Sequence, residues 1–268
     1  MEIVSIIIAV VSLIGSLVAA GFTGWISYYM DRAKQRSVAK ALIRKYRDPL
    51  ALAAYDLQSR LWGLVQQGLL GHHDEEDRKD LVYVYTAFLV GQYLSWTYIL
   101  RRQAQFLNFS TDKTNTQLNS ILNTIADEFA RGGREGERSF QLWRGQQMAI
   151  GETMTMAQEG GQLYCMGFAA FTSKYNSDAD FKMWFRSIER DIGYLAEASQ
   201  RDDATANYRL RRLQHLLVDL VMLLDPDRFA AGPFKEKKVG SAHSCRCEGC
   251  RVTVGKPASD PSTKLPGP

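Results

Sequence analysis

Residues 3–30 read IVSIIIAVVSLIGSLVAAGFTGWISYYM and contain no Asp, Glu, Lys or Arg. At about 1.5 Å of helical rise per residue, roughly 20 apolar residues cross the hydrocarbon core of a bilayer. The stretch is long enough to span one. Trp25, Tyr28 and Tyr29 fall near its end, where an interfacial aromatic belt belongs. Two other readings fit less well. A cleaved signal peptide has a basic leading region and an apolar core of about 7–15 residues. Here only Glu2 precedes a longer run, although Ala19, Ala20 and Gly21 have the small size a cleavage site needs. A core helix of a globular domain usually shows a polar face, which this stretch lacks. Everything after it is therefore read as tethered to a membrane.

The flanks orient the anchor. Residues 31–48 carry Arg32, Lys34, Arg36, Lys40, Arg44, Lys45 and Arg47, and no Lys or Arg precedes the span. The positive-inside bias predicts a single pass with the N-terminus outside and the rest in the cytoplasm. Arg32, Lys34, Arg36, Lys40, Arg44 and Lys45 are expected to meet anionic lipid as well, at about 1 kcal/mol per basic residue near the surface. Within the span, Ser12, Ser16, Ala20 and Gly24 recur every four residues. They form a small-residue ridge of the kind that lets two membrane helices approach, which predicts a homodimer through the anchor.

The formal charge of +4 is unevenly placed. Glu2 contributes −1, residues 31–48 sum to +5 and residues 226–268 to +4, which leaves 49–225 at −4. A mildly acidic middle does not supply the basic face that nucleic-acid binding needs. That middle is long enough to bury its own core.

Hydrophobic periodicity in the middle is helical throughout. An amphipathic juxtamembrane helix is expected to end at Asp48 and Pro49, because proline disfavours helix in the residue before it. A second helix follows over 49–70. Residues 81–100 carry no formal charge and could span a membrane by length. Tyr83, Tyr85, Gln92, Tyr93, Ser95 and Tyr98 instead predict the central buried helix of a domain, since polar groups in lipid need partners. Further helices are expected over 112–130, 178–196 and 204–224. Residues 140–156 read as irregular, with Gly145 and Gly151 interrupting any helix. From 226 onward Gly, Pro, Ser and Lys predict a disordered tail. The expected fold is all-α: a transmembrane anchor (1–30), a basic juxtamembrane helix (31–48), an α-helical cytoplasmic domain (49–225) and the tail (226–268).

No motif names a reaction. G-x-S-x-G, H-E-x-x-H and kinase signatures do not occur, and the glycines at 132, 133 and 136 lack the order of a phosphate loop. Arg144, Gln147 and Glu152 cluster among apolar neighbours. They read either as a polar cleft, with Glu152 as acid or base and Arg144 holding an anion, or as a buried ion pair that fixes the fold. His215 and Asp219, like Asp56 and Arg60, stand four residues apart as ordinary helix pairs. His243, Cys245, Cys247 and Cys250 supply the donors of a zinc site. All four lie within eight residues, however, whereas structural zinc usually draws two separated pairs. Apart from zinc at the tail, no cofactor is implied. The expected role is a non-enzymatic interaction or scaffolding module with an unidentified protein partner. The alternative is a membrane-tethered enzyme or ligand sensor using the cleft at Arg144 and Glu152.

Overall fold

The computed structural model describes residues 2–104, 113–132, 139–201, 203–227, 238–239, 245 and 250. One helix, α1, runs from Glu2–Gln66. Its segment Leu13–Lys34 is long and apolar enough to cross a membrane, and none of it is buried in the protein. Tyr46 is the first buried side chain among those described, and Leu50, Ala51, Ala53, Ala54, Leu57 and Leu61 follow it into the core. The same helix is thus an exposed rod in its first half and a core element in its second.

The helix break expected at Asp48 and Pro49 does not occur, because Pro49 lies inside α1. A proline in a helix interior costs about 3 kcal/mol through one lost hydrogen bond and a steric clash. Burial on both sides of it, at Tyr46 and at Leu50, Ala51, Ala53 and Ala54, outweighs that cost. The chain turns only after Gln66, at Gly68, whose φ of 68° is accessible without a Cβ penalty.

Among the described residues seven further α-helices follow: α2 (Lys79–Ala104), α3 (Lys113–Ala130), α4 (Arg144–Thr153), α5 (Phe168–Ser177), α6 (Ala179–Met183), α7 (Arg186–Gln200) and α8 (Tyr208–Leu224). The strands β1 (Thr155–Ala157) and β2 (Leu163–Cys165) pair antiparallel, with Met156 opposite Tyr164. Apart from this small hairpin the described chain is helical, as the sequence indicates.

Helices α2 and α8 both pack along the second half of α1; α3 packs on α8, and α4 and α7 pack on α2. The uncharged stretch 81–100 is a core helix. Val82, Ala87, Leu89, Val90, Tyr93, Leu94 and Ile99 in α2 are all buried within the domain.

Gly145 and Gly151 do not interrupt structure; both sit in α4. A Cβ on Gly151 would lie 2.8 Å from the Leu94 carbonyl oxygen and 2.8 Å from the Tyr98 Cβ. The glycine is where α4 closes onto α2, and its packing role overrides its low helix propensity. The single helix expected over 178–196 is two. Asp178 caps α6 by accepting from the amides of Asp180 and Phe181 at 3.0 and 2.9 Å. The chain then tightens at Trp184 and Phe185, which bond back to Phe181 and Lys182. At this break Phe181 and Phe185 both pack against Phe171, at centroid separations of 5.6 and 5.2 Å.

Candidate metal centre and polar cleft

Helix α8 is buried nearly all round, and four of its buried side chains are polar: Arg209, Arg212, Gln214 and His215. Buried polar groups need partners, and each of these has one on a different part of the chain. Arg209 donates to the Ser139 carbonyl at 3.2 Å. Arg212 donates to Glu128 on α3 at 2.6 Å. Gln214 donates to Gln58 of α1 at 3.0 Å and accepts the Val239 amide at 3.1 Å. His215 donates from Nε2 to the Val239 carbonyl at 2.7 Å.

The last two contacts come from the region expected to be disordered. Lys238 pairs with Asp219, and Val239 and Cys250 are buried. Two hydrogen bonds and an ion pair thus join Lys238 and Val239 to α8; the rest of 228–268 apart from Cys245 and Cys250 lies outside the described residues. Asp219, which the helical spacing paired with His215, takes Lys238.

On the other side of the imidazole, Nδ1 of His215 lies 3.4 Å from the Cys245 sulfur and 3.3 Å from the Cys250 sulfur. The three donor atoms all fall within 4.8 Å of one another. Burial holds His215 below its ordinary pKa, partly opposed by its bond to Val239. It is therefore neutral near pH 7, the form in which an imidazole ligates metal. Of the sequence grouping His243, Cys245, Cys247 and Cys250, the described Cys245 and Cys250 meet a histidine from α8. His243 and Cys247 lie outside the described residues. The sequence signal for His215 was its place on α8 opposite the apolar face of Leu213, Leu217 and Leu220, where the spacing offered Asp219 as a neighbour.

Of the expected polar cleft, Arg144 and Gln147 line one cleft and Glu152 does not. Gln147 is buried and donates to the carbonyls of Ala126 and Leu142 at 2.9 and 2.8 Å, tying α4 to α3. Arg144 is exposed and pairs with Asp127 at 2.5 Å. Glu152 is exposed. A cleft of about 140 Å³ lies between α2, α3 and α4, with Tyr98, Arg101, Arg144, Gln147 and Met148 in its wall. Glu152 is not among the lining residues. The cleft brings two cations together, and Arg101 is lowered from its ordinary pKa chiefly by burial. Met148 in that wall is 62% exposed, and Trp143, the residue before Arg144, is 67% exposed. Arg101 and Tyr98 were missed from sequence because they belong to the end of α2, about 45 residues before α4.

The first half of α1 places the anchor residues. Ser16, Ala20 and Gly24 are exposed, and nothing lies within 4 Å of a Cβ built on Gly24. Trp25 packs edge-on against Tyr29 at 5.2 Å, and the Arg32 guanidinium sits 4.6 Å over the Tyr28 ring. Arg32, Lys34, Arg44 and Lys45 are exposed. The side chains of Ser12, Arg36 and Lys40 lie outside the described residues.

No protein-family model matches the chain, and neither a curated protein nor a solved structure shows significant similarity to it.

Proposed function

We propose that this protein is a single-pass membrane-anchored interaction module that acts without catalysis. The observation that carries the reading is the continuity of α1. One unbroken helix contains both the apolar segment and the core residues from Tyr46 to Leu64. No linker separates anchor from domain, so a partner held by the domain is held at a set height and angle to the bilayer. The fifteen residues from 31 to 45 would form a stalk about 22 Å long at 1.5 Å per residue.

Charge supports an inward-facing domain, since the basic residues follow the span. Exposed Arg32, Lys34, Arg44 and Lys45 form the part of the stalk suited to anionic headgroups, with Arg36 and Lys40 adding to it in sequence. The ridge of Ser12, Ser16, Ala20 and Gly24 supports self-association of the anchor.

The partner-binding face is the rim of the cleft on α4. Exposed Trp143 and Met148 beside Arg144 and Arg101 have the composition of interface anchors, where Trp, Arg and Met are enriched. The alternative of an enzyme lacks its acid or base there, because Glu152 stands outside the cleft.

A photo-crosslinking residue at position 143, compared with one at exposed Glu197 on α7, tests the reading in intact cells. A discrete protein adduct from position 143, abolished by Met148→Arg and not seen from position 197, is the expected result. Equal or no adducts from the two positions would overturn the assigned face. A C-terminal tag accessible to protease from outside intact cells would overturn the orientation.

A further inference from the structure

His215, Cys245 and Cys250 bring three metal-ligating atoms together. Nε2 of His215 donates to the Val239 carbonyl, so in the neutral ring Nδ1 carries the lone pair. Two sulfurs approach that nitrogen, at 3.4 and 3.3 Å, and the three donor atoms lie within 4.8 Å of one another. One imidazole and two thiolates are donors suited to a single shared cation.

The distances fit a particular cation. With zinc–sulfur bonds of about 2.3 Å and zinc–nitrogen bonds of about 2.0–2.1 Å, the nitrogen–sulfur edge of a tetrahedron is about 3.5 Å. Both observed separations are within about 0.3 Å of that edge. The hydrogen bond from Nε2 to a backbone carbonyl is the outer contact that typically fixes a metal-bound histidine in tautomer and ring orientation. Burial of His215 and Cys250 keeps competing water away. The ligands also come from separated places in the chain, as structural zinc sites require.

We propose that His215, Cys245 and Cys250 bind a structural zinc ion that clasps the C-terminal segment onto α8. On binding, Zn²⁺ displaces the protons of the two thiols to solvent, and the two thiolates balance its charge. One tetrahedral position remains for a further donor; Cys247, between the two ligands in sequence, lies outside the described residues. The clasp reaches the anchor helix, since Val239 is bonded to Gln214 and Gln214 to Gln58 of α1. Zinc loss would therefore release Cys245 and Cys250 from α8.

The test uses the full chain, purified in detergent under reducing conditions without a polyhistidine tag, with zinc measured by elemental analysis and helicity by circular dichroism. About one equivalent of zinc is expected. Cys245→Ser, Cys250→Ser and His215→Ala should each reduce it at least tenfold. In the two serine variants helicity should stay at the wild-type level, so failure to fold does not explain the loss. Chelation of the wild type should speed proteolysis beyond residue 227 and leave the helical core intact. A metal-free wild type, or a disulfide between Cys245 and Cys250, would overturn the proposal. Full zinc in a folded His215→Ala variant would also overturn it, since the tail alone would then hold the metal.

Discussion

Arg212 of α8 and Glu128 of α3 pair at 2.6 Å with both side chains almost completely buried. Glu128 is also reached by Arg131, at 3.3 Å from its other oxygen. Removing one member of a buried pair leaves an uncompensated charge and costs about 3–5 kcal/mol, whereas replacing both with apolar groups is often neutral. Glu128→Ala and Arg212→Ala should each lower the midpoint of chemical unfolding sharply. The double variant Glu128→Leu with Arg212→Met should recover most of the loss. Additive losses in the double variant would show that the pair contributes through packing instead.

Gly151 gives a second, more local test. Its substitution by alanine introduces a methyl 2.8 Å from the backbone of α2. The helix propensity of alanine favours the change by about 1 kcal/mol, but overpacking of this kind costs about 1–3 kcal/mol. Gly151→Ala should be destabilising, while Gly145→Ala, which meets nothing within 4 Å, should be stabilising. Equal effects at the two positions would contradict the close approach of α4 to α2.

Asp191 predicts a pH dependence. The carboxylate is buried and accepts the amide of Phe140, a non-glycine residue at φ 57°. Burial raises its pKa, against the opposing pull of Arg190 and the Phe140 amide. A carboxyl whose native pKa is raised binds its proton more tightly when folded. Its stability contribution is then fully present below the unfolded value of about 3.9 and is lost as pH rises through the native value. Relative to Asp191→Asn, the wild type should lose stability with rising pH across that window and stay level above it. Urea midpoints of the two proteins read this directly, and the opposite slope would mean that the hydrogen bonds dominate burial.

The anchor ridge predicts that Ala20→Leu and Gly24→Leu weaken self-association of residues 1–48 in an in-membrane dimerisation reporter. The wild-type signal should strengthen with anionic lipid, which screens the two basic stalks from one another. Equal signals from all three sequences would dispose of the interface.

What the sequence made legible was the part governed by regular periodicity. The core role of 81–100 followed from its tyrosines and other polar side chains, and α3 and α8 from their apolar faces. Where it failed, tertiary packing had overridden a local rule. Pro49 stays helical because its neighbours are buried, and Gly151 sits in a helix because a larger residue would not fit. The meeting of His215 with Cys245 and Cys250 was hidden for a different reason. A contact between residues at least 30 positions apart leaves no periodic trace.

Continuity between anchor and core is the central claim, and membrane fractionation tests it most directly. The full chain should remain in the pellet after alkaline extraction, and residues 41–268, which keep Tyr46 and all of α2, should be soluble and helical without detergent. Extraction of the full chain from the membrane, or retention of residues 41–268 as an integral protein, would contradict it.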